Sequence, residues 1–253
     1  MKLTQIAALL SAVLILPGCV IHVGAQSADV ELEETLVIAS ADVNSLEIDT
    51  GSGYLNIVGV EGITEITVKA DITTTKARDY ELELTKVGSK AVLIAKHGST
   101  SGFWNGNTPS IDITVQVPNN LALDIDDGSG DISITDMNNF VEVEDGSGSL
   151  FVKNIQGDLI VDDGSGELDI SNVSGDVDIK DGSGEMKVVD IAGSVNVEDG
   201  SGEMILRHIG GMVTIDDGSG AIEVKDAGGL TITESGSGGL NIKGVKGEFN
   251  IDS

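Results

Sequence analysis

The amino-acid sequence predicts an all-β fold, a parallel β-solenoid of 18-residue repeats with two short strands per repeat, preceded by irregular β coils. Three observations lead to this prediction. A Gly-Ser-Gly turn recurs at a fixed spacing, apolar and polar residues alternate between the turns, and 40% of the residues are hydrophobic despite a large acidic excess. Self-similarity at a fixed period indicates stacked units, and strict alternation indicates strands with one buried face.

The repeat is marked by the tetrapeptide Asp-Gly-Ser-Gly, and each copy begins 18 residues after the one before it. The aspartates that open these copies, called the aspartate column below, are Asp127, Asp145, Asp163, Asp181, Asp199 and Asp217. A degenerate copy, Ser-Gly-Ser-Gly, begins at Ser235. Residues 127–253 are therefore predicted to form seven repeats.

Each repeat contains two alternating segments. In the third repeat Leu168 and Ile170 alternate with polar residues, and Val177 and Ile179 do so nine residues later. Each pair predicts a short strand with these side chains turned inward. One repeat cannot bury its apolar side alone, so we expect successive repeats to stack. The nine-residue offset argues against a left-handed hexapeptide helix, and 18 residues make either a whole coil or half of a larger one.

The sixth repeat departs from the pattern. Leu230 and Ile232 fall at positions that point outward in the other repeats. A one-residue bulge near Gly228 and Gly229 would return both side chains to the inner side. We therefore predict a local break in the pairing at this point.

Residues 31–126 also contain alternating segments, such as 81–84 and 111–115, but they lack the strict period. The stretch Thr50-Gly51-Ser52-Gly53 resembles the turn of the repeat and lies outside its phase. We expect irregular opening coils, or a β cap, on the same stack.

The N-terminus predicts export and lipid anchoring. An apolar run, residues 6–16, fits the core of a signal peptide and is too short to cross a bilayer. It leads into Leu-Pro-Gly-Cys at residues 16–19, which resembles the lipobox of bacterial lipoproteins, and Cys19 is the only cysteine. The resemblance implies a signal peptide at 1–18, a lipidated Cys19 followed by a tether to residue 30, and, because Val20 is not aspartate, an outer-membrane location.

The charge balance limits the partners. The formal net charge is −28, from 42 acidic and 14 basic residues. Such a surface repels nucleic acid and anionic lipid and attracts cations and basic molecules. We therefore expect no nucleic-acid partner.

Stacking would align the aspartate column along one turn edge of the solenoid. Two roles are open for it. Each side chain can cap its turn by accepting backbone N–H groups. Alternatively, the column can bind a cation weakly, with Ca²⁺ favoured because it takes oxygen ligands in flexible geometry. No other cofactor is expected.

A polar, glycine-rich segment, residues 97–110, contains Phe103 and Trp104, the only tryptophan. These aromatic residues either contact a ligand from a loop or fold back over the open end of the stack. The three histidines are far apart in sequence, and surface positions are expected for them. No catalytic residue is assigned, because a polysaccharide-cleaving site on a β-helix would also need basic and aromatic residues, which are scarce here.

A family resemblance rests on the segment Val-Pro-Asn-Asn-Leu-Ala-Leu-Asp-Ile at residues 117–125 and on the recurring Gly-Ser-Gly-x-apolar-x-apolar units. Together they resemble the bacterial adhesin-like envelope proteins of unknown function, of the auto-transporter adhesin head domain type. The resemblance extends over roughly residues 40–253. It implies a β-solenoid and an envelope location, and it brings no established activity.

These observations predict a non-enzymatic envelope lipoprotein whose solenoid is a scaffold for binding or adhesion, with a protein or a glycan as its partner. The alternatives are an envelope-stress sensor that binds cationic molecules and a weak calcium-binding solenoid. We expect a monomer that can stack end to end, because an unpaired edge strand invites pairing with another chain.

Overall fold

The computed structural model describes residues 27–98 and 104–251. In these ranges every regular element is a β-strand. A helix long and apolar enough to cross a membrane does not occur among the described residues. The predicted signal peptide, Cys19 and Phe103 lie outside these ranges.

The strands of the N-terminal part are β1 (Val30–Ala39), β2 (Ser45–Ser52), β3 (Leu55–Val60), β4 (Glu65–Thr74), β5 (Tyr80–Val87), β6 (Lys90–His97) and β7 (Ser110–Pro118). The repeats contain β8 (Ala122–Ser129), β9 (Ile132–Met137), β10 (Val141–Asp145), β11 (Gly148–Ile155), β12 (Leu159–Asp163), β13 (Gly166–Val173), β14 (Val177–Asp181), β15 (Gly184–Ile191), β16 (Val195–Asp199), β17 (Gly202–Asp217), β18 (Gly220–Glu234), β19 (Leu240–Lys243) and β20 (Phe249–Ile251).

One repeat forms one whole coil. Each strand pairs in parallel with the strand one repeat later, as Leu150 does with Leu168 and Val141 with Leu159. Sheet 1 contains β8, β10, β12, β14, β16 and β20, and sheet 2 contains β9, β11, β13, β15 and β19. The longer β17 and β18 run through both sheets. The predicted solenoid is confirmed, and 18 residues make a complete flattened coil.

The core lies between the two sheets. Leu168, Ile170, Val177 and Ile179, predicted to point inward, are at most 2% exposed. Val173, the apolar residue at the corner of the same coil, is also buried. Each coil covers the apolar side of the next, and full burial of one such side chain contributes roughly 1.5–3 kcal/mol.

The N-terminal part caps the same stack. The strands β2 and β3 form a coil that pairs in parallel with β8 and β9. The strands β6 and β7 form a further coil on its other side. Beyond it β5 pairs with β6, β4 with β7 and β1 with β4, all antiparallel. These antiparallel strands close one end of the solenoid.

The out-of-phase turn joins the column of repeat turns. Thr50 pairs with Asp127, and Ser52 pairs with Ser129, across 77 residues of sequence. The reason is that residues 61–121 lie between these two coils in sequence, where they form the outer strands β4 and β5 and the further coil of β6 and β7 before the chain continues at β8.

The irregular sixth repeat contains the predicted shift. The pairing offset between neighbouring coils changes between Ile209 and Met212 and is restored at Asp216. Leu230 and Ile232 are consequently inside the core, each 0% exposed. The prediction of a bulge in this repeat is confirmed.

Candidate functional site

The aspartate column lies inside the solenoid, along the edge opposite the apolar corners. Its side chains are between 1% and 6% exposed. Parallel pairing of Asp145 with Asp163 and of Asp163 with Asp181 confirms the predicted alignment, with about 4.8 Å between coils. The burial was not predicted, although Val177, Ile179 and Asp181 alternate in one phase and therefore point to one side of their strand.

Each aspartate of the column is held by a hydrogen bond at its turn. Asp127 Oδ1 accepts the hydroxyl hydrogen of Thr50 over 2.6 Å. In the other coils Oδ1 accepts the backbone N–H of the serine two residues later over 3.0–3.1 Å, in the pairs Asp145–Ser147, Asp163–Ser165, Asp181–Ser183, Asp199–Ser201 and Asp217–Ser219. A side-chain oxygen that accepts the backbone N–H two residues later is the arrangement that the predicted turn-capping role requires.

The second carboxyl oxygen of most column residues has no such partner. Oδ2 is buried without a hydrogen-bond partner in Asp127, Asp145, Asp163, Asp181 and Asp217. A buried charged oxygen without a donor is costly, and protonation removes the charge. The column is therefore a set of groups that favour the neutral form.

The pKa values follow from this environment. Burial, reinforced by the charges of Asp163 and Asp127, raises the pKa of Asp145 to about 7. Burial and the charges of Asp163 and Asp199 raise the pKa of Asp181 to about 6. Burial also raises the pKa of Asp127, where the Thr50 hydroxyl and the turn N–H groups act in the opposite direction.

A metal centre is not preformed in the column. Among the described residues no three His, Cys, Asp or Glu side chains lie close enough together to hold a metal ion. Each coil contributes one carboxylate, and Oδ1 is already engaged in the turn, whereas calcium takes six to eight oxygen ligands. Calcium binding by the column stays a prediction.

The outer surfaces of the two sheets differ in charge. The outward residues of sheet 1 in the repeats form what we call the acidic face, with Asp124, Asp126, Glu142, Glu144, Asp162, Asp178, Glu198 and Asp216 beside Lys180. The outward residues of sheet 2 form the mixed face, with Lys153, Lys187, Arg207, Lys225 and Lys243 beside Glu167, Asp169, Glu185, Glu203 and Glu223. Nearly all basic side chains of the repeat strands are thus on one face.

Ion pairs increase the difference in charge between the two faces, because they neutralise acidic side chains mainly on the mixed face. On the mixed face, Lys187 Nζ lies 2.7 Å from Asp169 Oδ2, and Arg207 Nη2 lies 2.6 Å from Glu223 Oε1. The hydrogen bonds from Arg207 lower the pKa of Glu223. On the acidic face, Lys180 Nζ is 3.9 Å from Glu198 Oε2.

A groove crosses the acidic face where the sheet 1 strands begin. Its outer rim carries Phe140, Ile160 and Met212, and Ile160 is 38% exposed. Edges of core residues form its floor, and Asp158, Asp176 and Asp178 are the ionisable residues among its lining side chains. We call this feature the sheet 1 groove.

Hydrogen bonds between coils fix the carboxylates of the groove. Asp158 Oδ1 accepts the backbone N–H of Asp176 over 2.9 Å, and Asp176 Oδ1 accepts that of Ser194 over 2.7 Å. Asp178 Oδ1 accepts the side-chain amide of Asn196 over 3.1 Å. The negative charges therefore have defined positions close to apolar side chains, of which Ile160 is exposed and Phe140 and Met212 are half-buried.

The other predicted site residues lie away from the groove or outside the residues that the structure describes. Trp104 is half-buried in the connection between β6 and β7. Cys19 and Phe103 belong to the residues that the structure does not describe, so lipidation and a ligand contact by Phe103 stay predictions.

A second column, at the opposite corner, was missed by the sequence reasoning. It contains one left-handed residue per coil, with φ of 58–63°, at Asp136, Asn154, Asn172, Asp190, His208 and Asp226. Asn172 donates to Asn154 over 2.6 Å, and Asn154 donates to Asp136 over 2.7 Å. The signal was present, because Asn, Asp and His tolerate this conformation and precede six of the seven corner residues, while Gly244 precedes the seventh.

Comparison with known proteins gives a family and several distant structures. Residues 94–253 match the family described as Toastrack DUF4097. A proposed cell adhesion protein from Clostridium sporogenes is 19% identical over 87% of this chain and 98% of its own, with a TM-score of 0.38. A proposed adhesin from Bacteroides fragilis is 14% identical over 90% and 100%, with a TM-score of 0.49.

A proposed lipid-binding protein from Parabacteroides distasonis is also 14% identical, over 90% of this chain and 100% of its own, with a TM-score of 0.44. All three TM-scores are below 0.5, so no property of these proteins is carried over to this chain. No match was found among curated proteins.

Proposed function

We propose that this chain, which belongs to the Toastrack DUF4097 family, is a non-enzymatic binding scaffold of the cell envelope whose acidic face binds cationic partners. The observation that carries the proposal is the separation of charge between the two faces. Acidity that served solubility alone would not require one face to be nearly free of basic residues.

The solenoid holds the charges of the acidic face in a fixed array. Parallel pairing places Asp126 next to Glu144 and Glu144 next to Asp162, one coil apart. Unit charges at about 4–5 Å repel by roughly 1 kcal/mol in water. A cationic partner relieves this repulsion, and a surface of one sign also accelerates its association.

The groove supports binding rather than catalysis. Two of its three aspartates, Asp158 and Asp176, already accept backbone N–H groups of the next coil, and this structural use makes them poor proton carriers. General acid–base chemistry usually places two groups with separated pKa values around one substrate. We therefore assign no catalytic residue in the described part of the chain.

The envelope location rests on the sequence. The lipobox-like segment and the single Cys19 are the basis for proposing a lipid anchor, with Val20 favouring the outer membrane. Two kinds of partner were expected from the sequence, cationic molecules and glycans, and the acidic face favours cationic molecules. Sugar binding relies on aromatic stacking, and only 3% of the residues are aromatic.

The proposal is tested by removing charge from one face at a time. One variant combines Glu142→Gln, Glu144→Gln and Asp162→Asn on the acidic face. Binding of amidated hexalysine is measured by titration calorimetry at low and at physiological salt. We expect the affinity to fall about tenfold at low salt, and the difference to shrink as salt screens the charges.

The matched control removes the same number of charges from the mixed face, with Glu167→Gln, Glu185→Gln and Glu203→Gln. Its affinity for hexalysine is expected to stay within about twofold of that of the unchanged protein. Equal losses in the two triple variants would mean that only net charge matters, and the assignment of the acidic face would be wrong.

A further inference from the structure

We propose that the sheet 1 groove anchors a short, extended, cationic peptide segment whose apolar side chains flank its basic residues. This inference rests on the proposed function and names the chemistry of the partner. The geometry of the groove, rather than the overall charge, selects this class.

The length of the groove sets the length of the segment. Phe140 and Met212 occupy equivalent positions four coils apart, which corresponds to about 19 Å at 4.8 Å per coil. An extended peptide advances about 3.3 Å per residue, so about six residues span this distance. Apolar side chains at the two ends of such a hexapeptide would meet Phe140 and Met212, and Ile160, one coil further on than Phe140, extends the apolar surface at the first end.

The charges of the groove lie between its apolar ends. Asp158 and Asp176 are on consecutive coils, and Asp178 is two residues further along the strand. Their Oδ1 atoms are fixed by the hydrogen bonds described above, so the carboxylates need little reorganisation when a cation arrives. The centre of the peptide is therefore expected to be basic.

The composition of the lining argues against other occupants. Ser194, Asn196 and Thr214 supply the remaining polar side chains, and the lining contains neither Lys nor Arg. An anionic amphiphile would meet three carboxylates without a basic partner. A purely apolar ligand would bury those carboxylates without compensation, which is unfavourable.

The test compares three capped hexapeptides by titration calorimetry with the purified full-length protein. They are Leu-Lys-Lys-Lys-Lys-Leu, hexalysine and Leu-Glu-Glu-Glu-Glu-Leu. We expect the first to bind about tenfold more tightly than hexalysine although it carries less charge, a ratio equivalent to 1.4 kcal/mol. The acidic peptide is expected not to bind.

Variants then locate the site. Ile160→Thr should weaken the leucine-ended peptide about fivefold and leave hexalysine unchanged, whereas Ile205→Thr on the mixed face should change neither. Thr214→Lys places a positive charge in the groove and should weaken both cationic peptides at least tenfold. Thermal melts show whether each variant is folded. If Ile160→Thr does not fold, Thr214→Lys still tests the groove independently.

The outcomes separate this inference from the proposed function. If both cationic peptides bind equally and Ile160→Thr has no effect, the groove is not the anchor, and the acidic face stands. If neither cationic peptide binds, the proposed function itself is wrong. If the acidic peptide binds as tightly as the cationic one, apolar contact alone drives binding, and the inference is overturned.

Discussion

Mild acid is expected to stabilise this protein, and the aspartate column is the cause. The pKa of Asp145 is about 7 in the folded protein, against an ordinary value of 3.8. Between these two values the folded state binds more protons than the unfolded state, so the free energy of unfolding falls as the pH rises. The stabilisation is complete below about pH 4 and is lost as the pH passes about 7.

The magnitude follows from the same two pKa values. A difference of about 3 at roughly 1.4 kcal/mol each amounts to about 4 kcal/mol, of which about 3 kcal/mol is lost between pH 5 and pH 8. Asp181, with a pKa of about 6, adds to the effect in the same direction. The two contributions are not independent, because Asp163 lies between these residues and its charge raises both pKa values.

The assay is urea unfolding followed by circular dichroism at pH 5 and at pH 8. Asp145→Asn keeps an Oδ1 acceptor for Ser147 and removes the ionisable group, so its pH dependence should be weaker by about 3 kcal/mol. Glu144→Gln, on the exposed neighbour, removes one formal charge as a control and should keep the original dependence. The reasoning is refuted if the unchanged protein is equally stable at both pH values, or if Asp145→Asn retains its full slope.

Four further predictions concern the core, the turns, the anchor and calcium. Ile170→Asp should cost several kcal/mol in urea unfolding because it buries an unpaired charge, whereas Asp178→Asn should cost little; similar losses would mean that the strand faces are misassigned. Gly166→Ala should prevent normal stacking because its Cβ would lie 1.5 Å from a carbonyl oxygen of the preceding coil, whereas a Cβ at Gly239 meets nothing within 4 Å and Gly239→Ala should leave the melting temperature nearly unchanged. Cys19→Ser should move the protein from the membrane to the soluble fraction, and unchanged membrane retention would contradict lipidation. Calcium and sodium at matched ionic strength should raise the melting temperature equally if the aspartate column only caps turns, and a rise specific to calcium would indicate a cation ladder.

The regular part of the fold was predictable because the repeats share the same turn and the same alternation of apolar and polar residues at one spacing. The alternation of Leu168 with Ile170 and of Val177 with Ile179 assigns the inner side, and the fixed period assigns the pairing partner. A parallel stack of identical units has few competing arrangements. Even the bulge of the sixth repeat followed from two residues out of phase, Leu230 and Ile232.

The cap was predictable only as β structure. Alternation in residues 81–84 and 111–115 identifies strands, but it is the same for parallel and antiparallel neighbours. The turn at Thr50 resembles the turns of the repeats, but it does not indicate that Thr50 stacks on Asp127, because β4 to β7 lie between the two coils in sequence. Long-range pairing of this kind needs the three-dimensional arrangement.

The candidate site was only partly predictable, for a different reason in each of its three parts. The separation of charge between the two faces can be found by assigning each outward residue to its strand. The net charge of −28 alone does not show this separation. The burial of the aspartate column follows from the phase that Asp181 shares with Ile179, yet an acidic residue at a turn is ordinarily exposed, and this general tendency outweighed the pattern. The sheet 1 groove depends on how side chains of several coils meet.

The column and the acidic face are electrostatically linked. The charge of Asp162 contributes to the raised pKa of Asp163, and that of Asp216 contributes to the raised pKa of Asp217. A cationic partner on the outer surface offsets these charges, which lowers the pKa values of the buried residues behind them. Binding should therefore release protons from the column, and by linkage a higher pH should favour binding. A scaffold that is most stable in mild acid would then bind cations more tightly as the pH rises through the pKa of Asp145, about 7, because the bound charge compensates for the carboxylate that forms in the interior.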